Sequence, residues 1–253
     1  MEPFEPSPAA PPMHDVARIE PRAASNALAR RLRPLEGKEA GTLMVHEVYK
    51  SIQGESTFAG LPCVFVRLTA CHLRCVYCDT AHAFKHGRAM ALDAVLDEVE
   101  KLGGGLVELT GGEPLRQDEA YPLMAALADR GWTVLLETSG EVATDRVDPR
   151  VRIILDVKTP ASGEVDANVW PNLDRLKPTD EVKFVLGDRP DFDWSVDVIR
   201  RHGLAARCPI LMGAVFGRVD PTELAGWILE SGLPIRLQVQ LHKILWDPKA
   251  RGV

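Results

Sequence analysis

Cys71, Cys75 and Cys78 form a Cys-x-x-x-Cys-x-x-Cys motif in a chain of 253 residues with five cysteines. An odd number of cysteines, clustered in this way, does not suit a secreted disulfide framework. Three thiolates on one short loop can instead hold three irons of a single [4Fe–4S] cube. With no fourth cysteine nearby, one iron would stay open to a ligand. The competing chemistry is zinc, which takes four ligands. His72, His82 and His86 are near enough in sequence to supply the fourth. Cys63 lies in an apolar run and Cys208 is isolated. Both read as inert core residues, leaving too few cysteines for a second cluster.

Other segments offer groups that such a centre would need. An open iron can accept the amino and carboxylate groups of S-adenosylmethionine (SAM), whose reductive cleavage yields a 5′-deoxyadenosyl radical. Thr110-Gly111-Gly112-Glu113-Pro114 brings glycines that let a backbone approach such a ligand closely. Ser139 offers a hydroxyl for a ribose, and Asp156 and Lys158 emerge from a very apolar run. Upstream, Ser51-Ile52-Gln53-Gly54-Glu55-Ser56 carries donors and acceptors for a heterocycle edge at Gln53 and Glu55. Arg67, four residues before Cys71, can clamp a carboxylate through two parallel hydrogen bonds. Thr80 can give one oxygen to a Mg²⁺ that otherwise uses water and substrate oxygens. Taken singly, each of these residues equally suits a turn or an ordinary surface ion pair.

Their position along the chain unites them. Apolar runs at Cys63–Leu68, Leu106–Leu109, Thr133–Glu137, Val151–Val157, Glu181–Leu186, Ile210–Val215 and Ile235–Leu241 read as strands. Amphipathic stretches at Leu92–Leu102, Glu119–Arg130, Phe192–His202 and Pro221–Glu230 read as helices between them. This alternation predicts an α/β fold with a parallel sheet, open or closed into a barrel. The cysteines, the Gly-Gly pair, Ser139 and Asp156–Lys158 each follow or end a strand. Ligands gather at the carboxyl ends of parallel strands, so these loops describe one active-site rim.

Bulk properties set the surroundings. Hydrophobic residues make up 45% of the chain, enough for a full core, and the formal net charge is −6. The balance excludes a broad nucleic-acid footprint. There is no apolar run long enough for a membrane span and no secretory leader pattern, so a reducing cytoplasm is expected. Residues 1–41 are rich in Pro and Arg and read as a disordered or dispensable extension. Acidic Glu2, Glu5, Asp15 and Glu20 weigh against an organellar leader. Residues 42–253 read as one domain.

Taken together, these marks resemble the radical SAM superfamily and, within it, the 7-carboxy-7-deazaguanine synthases of queuosine and deazapurine biosynthesis. The resemblance covers about Met44 to the C-terminus. It rests on Ser-Ile-Gln-Gly-Glu, Arg67, Tyr77-Cys78-Asp79-Thr80, Thr-Gly-Gly-Glu-Pro and the ending Gln240-Leu241-His242-Lys243-Ile244-Leu245-Trp246. It implies a single-domain partial (β/α) barrel with outer helices, often a homodimer. It also implies a lyase that converts 6-carboxy-5,6,7,8-tetrahydropterin to 7-carboxy-7-deazaguanine with loss of ammonia. Such an enzyme uses one cluster, SAM and Mg²⁺, with flavodoxin or ferredoxin as electron donor. By position, Ile52, Gln53, Gly54, Glu55, Arg67 and Thr110 would contact the pterin. Tyr77, Cys78, Asp79, Gly112, Ser139, Asp156, Val157 and Lys158 would contact SAM, and Thr80 would hold Mg²⁺. No side chain is assigned a catalytic role beyond the cofactors. Many relatives read Ser-Pro-Lys where this chain has Asp156-Val157-Lys158. A glycyl-radical activating enzyme is the nearest alternative function; a non-catalytic zinc-binding module is the alternative from another class.

The cluster reading predicts a brown protein with about four irons per chain, against a colourless zinc protein, as metal analysis would show. The Cys71→Ala variant is expected to lose SAM cleavage, measured as 5′-deoxyadenosine release.

Overall fold

The computed structural model describes residues 28–253, so the expectation for residues 1–27 lies outside the described residues. Nine strands form one sheet in the order β3-β1-β2-β4-β5-β6-β7-β8-β9. They are β1 (Thr42–Ile52), β2 (Pro62–Leu68), β3 (Arg88–Ala91), β4 (Leu106–Gly111), β5 (Thr133–Thr138), β6 (Arg152–Val157), β7 (Glu181–Leu186), β8 (Ile210–Ala214) and β9 (Ile235–Gln238). From β2 through β4 to β9 every pairing is parallel. Four longer helices fill the crossovers: α1 (Leu92–Leu102), α2 (Ala120–Asp129), α4 (Arg189–His202) and α5 (Pro221–Ser231). One-turn helices α3 (Pro171–Asp174) and α6 (His242–Leu245) are also present. The architecture is the expected mixed α/β partial barrel, with β3 and β9 as open edges.

The seven expected strands correspond to β2 and β4–β9. β1 and β3 have no counterpart among them, and both run antiparallel. β1 escapes sequence reading because a bulge between Val45 and Glu47 breaks its two-residue alternation. β3 is four residues long with one buried apolar side chain, Met90. α4 begins at Arg189 rather than Phe192. Asp188 caps it by accepting from the Asp191 amide, and Pro190 sits where the first-turn amides need no partner.

Strand alternation divides the molecule into two cores. On β4, β5 and β6, Val107, Leu109, Val134, Leu136, Ile153, Leu155 and Val157 face the helices in the main core. The opposite face forms a smaller core inside the barrel from Cys63, Phe65, Leu106, Leu135 and Ile154, with Tyr49 and Phe58 against it. Further along the same face stand Glu108 and Thr110, Glu137, and Asp156. The interior therefore has an apolar floor and a polar upper layer, because each strand becomes polar on its inner face near its carboxyl end.

Residues 28–41 pack on this frame. Lys38 Nζ donates to Thr42 O at 2.9 Å and pairs with Glu119. Arg31 Nη1 donates to His72 O in the cysteine loop at 2.5 Å.

Gln117, fully buried, joins the antiparallel edge to the parallel sheet. Its Oε1 accepts from Met44 N at 2.8 Å, and its Nε2 donates to Met44 O and Thr69 O, each at 3.1 Å. Gln117→Ala is expected to cost roughly 2–3 kcal/mol, because buried backbone groups lose partners. Urea denaturation with an unchanged slope would measure it.

Candidate active site

A cavity of about 460 Å³ opens at the carboxyl ends of the parallel strands. Cys71, Cys75 and Cys78 all line it, together with Arg67, Thr110, Gly112, Ser139, Asp156 and Lys158. The rim expected from successive loops is thus one continuous surface.

The cysteine loop is held from below by the Gly111–Gly112 turn. A Cβ on Gly111 would strike the Leu68 backbone, and one on Gly112 would strike the Ala70 carbonyl and the Cys71 amide. Gly111 also has φ 137°, in the region that only glycine enters freely. The close approach allows Gly112 N to donate to Leu68 O at 3.0 Å and Glu113 N to Ala70 O at 2.9 Å. The glycines therefore seat the loop that carries Cys71, besides lining the cavity. Ala70 itself has φ 78°, a left-handed conformation costly for a residue with a Cβ. Glu113, fully buried, extends the brace. Its carboxylate accepts from Thr138 Oγ1 at 2.8 Å, Ser139 N at 2.9 Å and Ser139 Oγ at 2.6 Å. The far side is tied by Val76 N to Ser162 O at 2.9 Å and by Arg74 Nη1 to Cys71 O at 2.7 Å.

Burial, and then the Glu113 carboxylate, push the Cys71 thiol up to about 12. Burial likewise raises the Cys75 thiol. Bound positive metal favours the thiolate form of such groups. Among the described residues, no three His, Cys, Asp or Glu side chains are gathered as one metal ion requires. A cube puts each thiolate on a different iron, so its ligands do not converge on one point as those of zinc do. The histidines have other settings. His72 Nδ1 lies 3.0 Å from Glu141 Oε1, the His82 ring lies 5.1 Å from that of His46, and His86 is exposed. The donor set fits a three-cysteine cluster better than a zinc ion.

At the SAM side, Lys158 Nζ donates to Asp156 Oδ2 at 2.8 Å. Asp156 Oδ1 is buried without a protein partner, so a ligand donor has an acceptor waiting. Val157 departs from the expectation: its side chain lies in the main core, because it alternates outward. Tyr77 OH donates to Val185 O at 3.0 Å. The Asp79 carboxylate accepts from Lys243 Nζ at 2.7 Å and Gln240 Nε2 at 3.3 Å. Burial would raise Asp79, but the Lys243 ammonium and these hydrogen bonds hold it at about 2. Thr80 Oγ1 lies 3.7 Å from Cys78 Sγ on the cavity wall.

At the heterocycle side, the opening segment meets the C-terminal one. Gly54 is required because a Cβ there would strike the His242 ring, and Leu241 N donates to Gly54 O at 3.0 Å. Glu55 accepts from Gln240 Nε2 at 2.7 Å and pairs with Lys183. Gln53 differs from the expected edge reader: its Nε2 donates to Glu108, and its Oε1 accepts from Glu55 N at 3.1 Å. Both ends of its amide are engaged by the protein. Ile52 lines the cavity nearby. Thr110 Oγ1 donates to Glu137 Oε2 at 2.9 Å. Arg67 Nε donates to Glu47 Oε1 at 2.7 Å and Nη2 to Tyr49 OH at 2.9 Å. These bonds orient the guanidinium, and Nη1 has no hydrogen-bond partner among the described residues.

The sequence assigns no role to Glu108, Glu137 or Lys183, although Glu137 stands in the strand-end segment with Ser139 and all three line the cavity. The available signal was a charge inside each otherwise apolar strand at the inward position. Lys183 Nζ donates to Glu137 Oε1 at 2.6 Å and also contacts Glu55, gathering three strand ends around one ammonium.

Gly112→Ala is expected to displace Ala70 and Cys71 and to lower iron content after reconstitution severalfold. Far-UV circular dichroism should stay close to wild type, since the sheet below is untouched. Full iron loading of the variant would contradict the seating role.

The chain is similar to known proteins in sequence and in fold. Residues 66–203 match the family model described as the Radical SAM superfamily. The chain is 46% identical to the 7-carboxy-7-deazaguanine synthase of Koribacter versatilis (strain Ellin345), over 83% of this chain and 100% of that protein. The Chlorobaculum tepidum protein of the same name is also 46% identical, over 83% of this chain and 97% of its own length. The crystal structure of QueE from Escherichia coli superposes with a TM-score of 0.65 at 22% identity, covering 78% of this chain and 94% of that one, and so supports the fold. The chain belongs to the radical SAM superfamily and, within it, to the 7-carboxy-7-deazaguanine synthase family.

Proposed function

We propose that this protein is the lyase that converts 6-carboxy-5,6,7,8-tetrahydropterin to 7-carboxy-7-deazaguanine with release of ammonia. The observation that carries the proposal is a single cavity in which the three cysteines share one wall system with Arg67 and the Gln53–Glu108 pair. When bound, the cluster and SAM would supply one-electron chemistry that removes a hydrogen atom from a substrate carbon.

The chain's own residues bind and orient. Cys71, Cys75 and Cys78 hold the cluster. SAM sits against Tyr77, Cys78, Asp79, Gly112, Ser139, Asp156, Lys158 and the backbone of Val157. The unpartnered Asp156 Oδ1 accepts from it, and Ser139, whose Oγ proton is given to Glu113, offers lone pairs. The pterin lies against Ile52, Gln53, Gly54, Glu55 and Thr110. Its carboxylate meets Arg67, whose guanidinium is already aimed by Glu47 and Tyr49. Thr80 provides one oxygen to Mg²⁺, and water and substrate supply the others. The same reading carries flavodoxin or ferredoxin as electron source, a homodimeric assembly and a cytoplasmic setting. No described helix is long and apolar enough to cross a membrane.

The test is an anaerobic reaction of cluster-loaded protein with SAM, reductant and the carboxytetrahydropterin. Mass analysis should find 7-carboxy-7-deazaguanine; its absence with a full cluster would refute the proposal. Arg67→Ala should keep the cluster's visible absorption and lose about tenfold or more in kcat/KM, matching roughly 1.5–3 kcal/mol for a charged hydrogen bond. Unchanged kinetics would remove Arg67 from the site.

A further inference from the structure

Glu108 occupies the inner face of β4, between Leu106 on the apolar floor and Thr110 at the rim. It is 4% exposed and lines the cavity. A chain of hydrogen bonds fixes its surroundings. Glu55 N donates to Gln53 Oε1, so the Gln53 amide must present Nε2, which donates to Glu108 Oε2. Glu108 Oε1 accepts no hydrogen bond from the described residues.

The groups facing Glu108 come from every neighbouring element. They are Tyr49 on β1, Cys63 on β2, Glu137 on β5, Lys183 on β7 and Glu55 after β1. Lys183 is the only ammonium among them, and it is bonded to both Glu55 and Glu137. An ionised Glu108 would add its charge to those of Glu55 and Glu137, the carboxylates already bonded to that cation. Burial, followed by the Glu137 charge, pushes the Glu108 acid well above the usual carboxyl range. A neutral acid that accepts at Oε2 carries its proton on Oε1 and offers it to the cavity.

We propose that Glu108 is a substrate-recognition residue whose Oε1–H donates to the C4 carbonyl oxygen of the pterin ring. The contact selects the lactam form over a 4-amino ring. This rests on the pterin reading given above. The sheet supports the span: Phe65 pairs with Glu108 and Arg67 with Thr110. The acid thus lies two residues below the arginine, about 7 Å along the strands, and a fused bicycle with its C4 carbonyl and its C6 carboxylate along one edge can reach both. A 4-amino ring presents donors where the lactam has its carbonyl oxygen, so it would set donor against donor.

The test uses cluster-loaded protein with SAM and no reductant, titrated with 6-carboxypterin and with its 2,4-diamino counterpart. Ligand fluorescence reports binding. Wild type should prefer the lactam by about tenfold or more. Glu108→Ala and Glu108→Met, which remove the donor with and without loss of volume, should bring the ratio close to one. Glu108→Gln keeps a donor and an acceptor in the same place and should keep the preference. The ratio is internal to each folded variant, so general destabilisation does not move it. A retained preference in Glu108→Ala or Glu108→Met would overturn the proposal, as would its loss in Glu108→Gln. Failure of wild type to bind 6-carboxypterin at all would overturn the pterin reading as well.

Discussion

The site depends on a contact between two pieces of backbone. Gly111 and Gly112 bring the end of β4 so close to Leu68, Ala70 and Cys71 that no side chain fits between them. That approach fixes where the cysteine loop leaves β2. Buried Glu113 then carries the constraint to Thr138 and Ser139 at the end of β5. Three neighbouring strand ends are locked together before any ligand is bound. Left-handed Ala70 shows that the loop accepts strain to reach this place, as expected where the surrounding structure over-determines a conformation. The Gly-Gly-Glu motif is therefore a clamp on the cluster loop as well as part of the cavity wall.

Above the apolar floor, the interior is organised by charge. Lys183 draws Glu55 and Glu137 together, Glu55 holds Gln240, and Asp79 beside Cys78 holds Lys243. The opening segment, the cluster loop and the C-terminal segment thereby converge on one cavity although they are far apart in sequence. Buried ions without partners are costly; here each charge in this group has at least one partner of opposite sign. Glu108 is the exception, and a neutral acid is the form that removes the cost.

Much of this was legible in the sequence. Parallel strands buried on both faces read as apolar runs, which is why β4 through β9 were visible and why the residues following them could be assembled into a rim. β1 was hidden by its bulge and β3 by its shortness. Single residues were harder to place. Val157 turned outward by strand alternation, a sign that was available and outweighed by its neighbours' resemblance to a known motif. Gln53 kept its place at the cavity, but its partner, Glu108, is 55 residues away in sequence, and no local pattern reports such a pairing. The close approach at Gly112 is of the same kind: the sequence shows a glycine, and only the packed backbone shows what it must avoid.

The central claim is a three-cysteine cluster with one iron open to SAM inside this cavity. Electron paramagnetic resonance of the anaerobically reduced protein, with and without SAM, addresses it directly. The account predicts a [4Fe–4S]⁺ signal whose g-values shift when SAM is added, because the ligand reaches the open iron. A cluster signal unchanged by saturating SAM, or no cluster signal in protein that is fully folded and supplied with iron and sulfide, would contradict it.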